Sequence, residues 1–161
     1  MSTDPPIHVE FNETDPTPVL PYFADLVAAG AGWINFEPGY DSEDAPPERS
    51  LFGLVFSARG PEIPLCTWVP AQAKRRGFVE PQSIGVQHGA GGKAVDKLAA
   101  RGVDVPAGWR VMQDHSRRGL VLAVPDSVEP AAIVEWLIEA GTALCPIQLS
   151  GWWRAAVHEP R

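Results

Sequence analysis

The chain has 161 residues, enough to bury one sizeable core, and its composition is 45% apolar with six Trp and 17 Pro, a proline share that implies many corners and short elements. Its formal charge of −7 argues against a nucleic-acid partner unless the bases gather on one face. No apolar run approaches the roughly 18 residues of a membrane span, and no charged-then-apolar leader opens the chain, which predicts a soluble, cytoplasmic protein with no membrane partner.

In chain order, Ile7, Val9 and Phe11 alternate as in a half-buried strand. Residues 15–30 (DPTPVLPYFADLVAAG) read as a helix with prolines in its first turn, Leu20, Phe23 and Val27 as its apolar face, and Gly30 as its cap. Residues 33–38 (WINFEP) follow as a strand with Ile34 and Phe36 on one side. An acidic, Pro-containing loop covers residues 39–50. Residues 51–57 and 63–69 then flank ARGPE as a hairpin. Residues 71–81 (AQAKRRGFVEP) are a basic connection with one helical turn, and the most natural internal boundary falls here.

From Gln82 the pattern is cleaner: strand 82–88, helix 91–102, strands 108–114 and 119–125, helix 129–141, and a long strand 146–158. This β-α-β-β-α-β order is that of a ferredoxin-like unit. The predicted fold is α+β, with helices packed on an antiparallel or mixed sheet. It forms a single compact domain, 1–161, within which residues 1–80 (βαβββ) and 81–161 (βαββαβ) are candidate halves. An internal echo supports two halves. Helices end on glycine at Gly30, Gly102 and Gly141, and Gly32-Trp33, Gly108-Trp109 and Gly151-Trp152 each enter a strand. Trp136 and Trp153 fall on apolar faces, whereas Trp68 and Trp152 read as outward-facing.

Charge is distributed unevenly. Residues 1–58 hold ten acids and one base, residues 59–118 five acids and ten bases, and residues 119–161 five acids and two bases. The basic middle contains both candidate sites. In GVQHGAGGK, a glycine-rich turn at Gly89, Gly91 and Gly92 leads from a strand into a helix, where backbone N–H groups can cradle an anion and Lys93 adds charge. The spacing matches neither a phosphate loop nor a dinucleotide turn, so a tight turn with a solvated basic stripe at Lys93, Lys97 and Arg101 is the simpler explanation. In QDHSRRG, Asp114 beside His115, with Arg117 and Arg118, suits either acid–base work and anion binding or a hairpin turn capped by Asp114. Strand directions place His88 and the 114–118 turn at the same end of the sheet, so a His88, His115 and Asp114 constellation is geometrically allowed.

Cys66 and Cys145 match no ligand spacing and read as reduced thiols. No metal or cofactor pattern is present. Three functional readings follow. The first is a non-enzymatic binding or regulatory module, engaging a protein partner or small anionic ligand through residues 82–118. The second is a small enzyme acting on a phosphate- or carboxylate-bearing substrate, with His88 or His115 as acid–base; it requires one pocket holding both histidines. The third is an acidic inhibitor or immunity-type protein that uses the carboxylates from Glu37 to Glu48. The lack of a complete catalytic set favours the first. Oligomeric state is not encoded in any motif.

Overall fold

The computed structural model describes residues 4–46 and 59–161. Among the described residues the strands are β1 (Ile7–Asn12), β2 (Trp33–Pro38), β3 (Leu65–Val69), β4 (Gln72–Ala73), β5 (Val79–Glu80), β6 (Ser83–Gln87), β7 (Arg110–His115), β8 (Gly119–Ala123) and β9 (Trp152–His158). The helices are α1 (Leu20–Ala29), α2 (Ala94–Ala99) and α3 (Pro130–Leu144). The expected strand at 51–57 lies outside the described residues.

Seven strands form one sheet in the order β1-β9-β2-β3-β6-β8-β7, and every neighbouring pair is antiparallel. The α+β class and the large antiparallel sheet are thus as expected. Within the sheet, β6-α2-β7 encloses β8, as in a ferredoxin-like unit. Such a unit would seat β9 on the other side of β6, and β3 holds that place. β9 instead lies between β1 and β2, which are joined by α1, so each end of the sheet carries one split β-α-β arrangement. The connection has the reach for this. β8 and β9 are separated by four strand spacings, about 19 Å, and a 15-residue helix such as α3 is about 22 Å long.

The helices α1, α2 and α3 contribute to one buried cluster on one face of the sheet. Phe11, Ile34, Phe36, Cys66, Trp68, Ile84, Val86, Leu120, Leu122, Trp153, Ala155 and Val157 point into it, as strand alternation requires. The opposite face carries a row in register from His8 through Ala156, Asn35, Thr67, Gly85 and Val121 to Gln113. There the Thr67 hydroxyl donates to Asn35 Oδ1 at 2.8 Å.

Several local expectations change. α1 begins at Leu20, and its buried residues are Phe23 and Leu26 with Val19 just before it, while Val27 is 60% exposed. A face through 19, 23 and 26 satisfies helical periodicity as well as one through 20, 23 and 27, and only tertiary packing selects between them. Trp68, expected to face outward, is buried at 4.3 Å between ring centroids from Phe23, and its indole N–H donates to Gln82 Oε1 at 3.0 Å. Both parities of residues 63–69 are apolar, so alternation leaves the phase of β3 open. Trp136 and Trp153 are buried and Trp152 is exposed, as expected.

α3 runs past Gly141 to Leu144. That glycine is not a helix stop; it is a point of close approach, because an added Cβ would sit 2.9 Å from the Trp153 ring. The Gly-Trp entries behave alike: Gly32, Gly108 and Gly151 all take positive φ, between 86° and 89°, which favours glycine. β9 is shorter than expected and begins at Trp152. Residues 71–81 are not a simple connection. They fold into a small β4–β5 hairpin with a 3-10 turn at Arg75–Gly77.

Candidate functional site

His88 directly follows β6 and continues its inward-facing set, Ile84 and Val86, so its imidazole is fully buried. The glycine-rich turn begins here. Ala90 N–H donates to His88 Nδ1 at 3.2 Å. An accepting Nδ1 leaves the ring proton on Nε2, and that atom is buried without a hydrogen-bond partner among the described residues. Burial holds the His88 pKa below its ordinary value. The Asp114 carboxylate opposes this shift and Lys97 adds to it. A second ring proton would also break the Ala90 bond. His88 is therefore a neutral core imidazole that fixes the start of the turn.

Asp114 does not cap its own hairpin. Its register opposite Leu120 turns it to the helical face, where Oδ1 accepts from Ala94 N–H at 3.0 Å and Oδ2 from Val95 N–H at 3.1 Å. The anion cradle expected at the start of α2 thus holds a carboxylate of the chain itself, and α2 has only six residues. Lys93, immediately before it, is exposed and takes left-handed φ of 59°. Turn capping falls to His115, whose Nδ1 accepts the N–H groups of Arg117 at 3.1 Å and Arg118 at 3.2 Å. His115, Arg117 and Arg118 are all exposed.

The sheet does bring His88 and this turn to one end. Gly60 N–H donates to Ser116 O at 3.2 Å, and an added Cβ on Gly60 would meet His88 O at 2.4 Å and Arg117 O at 3.3 Å. A backbone with no side chain therefore fills the gap between the two segments. His88 and His115 belong to different surroundings, one in the core and one on the surface.

A cleft of about 510 Å³ opens beside the turn, within the range of about 300–1,000 Å³ usual for small-ligand sites. Arg59, Lys97 and Arg101 supply positive charge at its walls against the single carboxylate of Glu62, and Ala100, Leu144 and Pro146 supply apolar surface. Gly89 and Ala90 form one side through backbone that the glycine keeps open, since a Cβ on Gly89 would lie 3.1 Å from Pro61 O. Lys97 also donates to Ala90 O, tying α2 to the turn.

Of the residues expected to bind a ligand, Gly89 lines this cleft; Gly91, Gly92, Lys93, Arg117 and Arg118 do not, nor does either histidine. Sequence reasoning missed Arg59, Lys97, Arg101 and residues 144–146 as site residues. The four-residue spacing of Lys97 and Arg101 was the available signal. Cys145 at the rim is a protonated thiol, its pKa raised by partial burial, and Cys66 in the core is pushed up to about 12 by complete burial. Among the described residues no group of three or more His, Cys, Asp or Glu side chains is placed to hold a metal, and no helix is long and apolar enough to cross a membrane. Comparisons with known protein families, curated proteins and solved structures find no match to this chain.

Proposed function

We propose that the protein is a non-enzymatic binding module for a small organic anion, held in the cleft between the Gly89–Ala90 turn, α2 and the C-terminal end of α3. The observation that carries this reading is the union of Arg59, Lys97 and Arg101 with an apolar wall at Leu144 and Pro146 in one concavity. Guanidinium and ammonium groups converging on one cleft recognise carboxylate or phosphate, and the apolar wall selects a ligand with a hydrocarbon part. Among the described residues the lining holds no imidazole, and its one carboxylate, Glu62, stands beside three cations, which favours binding over turnover.

The test is a titration of ¹⁵N-labelled protein with phenyl phosphate, benzoate and inorganic phosphate, followed by NMR. Saturable shifts centred on Gly89, Ala90 and Arg101 are expected, stronger for the aromatic probes and abolished in Arg101→Glu. Shifts that never saturate, or that centre on Arg117 and Arg118, would sink the reading.

A further inference from the structure

The β4–β5 hairpin and a second cleft at the far end of the sheet complement each other. The hairpin forms a small prong. Gln72 pairs with Glu80 and Ala73 with Val79, Lys74 N–H donates to Phe78 O at 2.7 Å, and Lys74 Nζ bridges Glu80 at 3.1 Å. Its tip displays Arg75 and Arg76, and Phe78 and Val79 are 63% and 60% exposed. A basic tip beside two adjacent exposed apolar side chains stands out on a protein of net charge −7.

The second cleft, of about 400 Å³, lies over the β1-β9-β2 edge and is lined by Tyr40, Trp152, Glu10, Glu37 and Arg154. Tyr40 is 41% and Trp152 56% exposed, which gives a guanidinium two aromatic faces to lie against. Arg154 pairs with Glu37 at 3.1 Å, leaving Glu10 as its other cross-strand neighbour, and Asp41, Glu43 and Asp44 add negative charge beside Tyr40. The two features cannot meet within one molecule. The hairpin leaves β3 at the Trp33 end of β2, the cleft sits at the Pro38 end, and the six-residue β2 between them is about 17 Å long.

We propose that the hairpin of one copy docks into the acidic aromatic cleft of a second copy, so that the protein associates head to tail. The bases of the tip face the carboxylates of the cleft, and Phe78 meets Tyr40 and Trp152. The contact is heterologous, so it closes into a ring or continues into a short chain. One prong buries less surface than a standard interface, so association is weak, concentration-dependent and reduced by salt. Pre-ordering of the hairpin lowers the entropy lost on docking.

A mixing experiment with the full chain decides this. The first variant removes the prong (Arg75→Ser, Arg76→Asn, Phe78→Ser), with Asn chosen because it tolerates the left-handed φ of 66° at position 76. The second removes the receptor (Trp152→Ala). In sedimentation equilibrium the wild type grows in mass with concentration, and each variant alone associates at least about tenfold more weakly, as loss of an Arg or Trp anchor produces. The two variants mixed form a 1:1 heterodimer and no larger species, because only one intact prong and one intact cleft remain. That heterodimer also shows that both variants fold. A wild type that stays monomeric at millimolar concentration overturns the proposal, as does a mixture that stays monomeric beside an associating wild type. Retention of a monomeric wild type by an oligonucleotide, lost with the prong, would assign the hairpin to nucleic acid and equally overturn it.

Discussion

Asp114 at the end of β7 accepts the backbone N–H of Ala94 at 3.0 Å, so a strand residue supplies the N-terminal cap that α2 lacks in its own sequence. Lys93 precedes the helix in a left-handed conformation and caps nothing with its side chain. Two chain segments about 20 residues apart are therefore locked by one carboxylate, which also sits close enough to His88 to influence its charge.

Replacement of Asp114 by Ala should destabilise the fold by about 0.5–2 kcal/mol, the usual range for a lost helix cap, and Asn should cost less because it keeps one acceptor. Urea denaturation measures the loss, and hydrogen exchange should accelerate first at residues 94–99. The same change should lower the His88 pKa further, since it removes the charge that favours the imidazolium. An unchanged His88 titration would show that the two groups are not coupled.

His88 makes stability pH-dependent with a definite sign. Its pKa in the fold is lower than in the unfolded chain, so below about 6.5 the unfolded state binds more protons and stability falls with pH. Above that value this pH dependence vanishes. His88→Asn places an oxygen where Nδ1 accepts from Ala90 and removes the titration. The urea midpoint of the wild type should drop between pH 7.5 and 5.5 more than that of the variant. Equal drops would assign the acid sensitivity to carboxylates.

These particulars show where sequence reasoning carries and where it stops. Burial of His88 was legible because it continues the Ile84, Val86 alternation, and its nearness to the 114–118 turn followed from strand direction alone. The roles within that turn were not legible. Asp114 and His115 are adjacent in sequence but occupy opposite faces of β7, and only the position of α2 decides which one caps the helix. The place of β9 is a long-range choice. β6 accepts any antiparallel neighbour of the right apolar face, and β3, met earlier in the chain, provides one. The cleft was hidden because it joins residues from three segments, 59–62, 89–101 and 144–146, that share no motif.

The two thiols should differ in reactivity under native conditions. Both pKa values are raised, Cys66 by complete burial to about 12, Cys145 by partial burial. A thiol reagent at pH 8 should label Cys145 more slowly than a free cysteine and Cys66 only on unfolding. Since Cys145 lines the basic cleft, a bound aromatic anion should slow its labelling further. Rapid labelling of two thiols in the folded protein would contradict the buried position of Cys66.

Gly141→Ala sets two effects of opposite sign against each other. Within the helix, Ala is favoured over Gly by about 1 kcal/mol. The new Cβ would lie 2.9 Å from Trp153 Cη2 and 3.2 Å from Cys66 Sγ, both closer than packed carbon and sulfur tolerate. Trp153 is 2% and Cys66 0% exposed, so neither can swing into solvent to make room, and β9 holds Trp153 from both sides through β1 and β2. Overpacking of a closed core costs about 1–3 kcal/mol. The steric cost should prevail, giving a net destabilisation of about 1 kcal/mol in urea unfolding, with a changed near-UV signal from Trp153 as the ring shifts. Cys66→Ala in the same chain opens space on one side and should recover part of the loss. A stabilised Gly141→Ala would mean that the α3 backbone retreats from β9 at little cost, and that the close approach of Gly141 to Trp153 is not what requires glycine there.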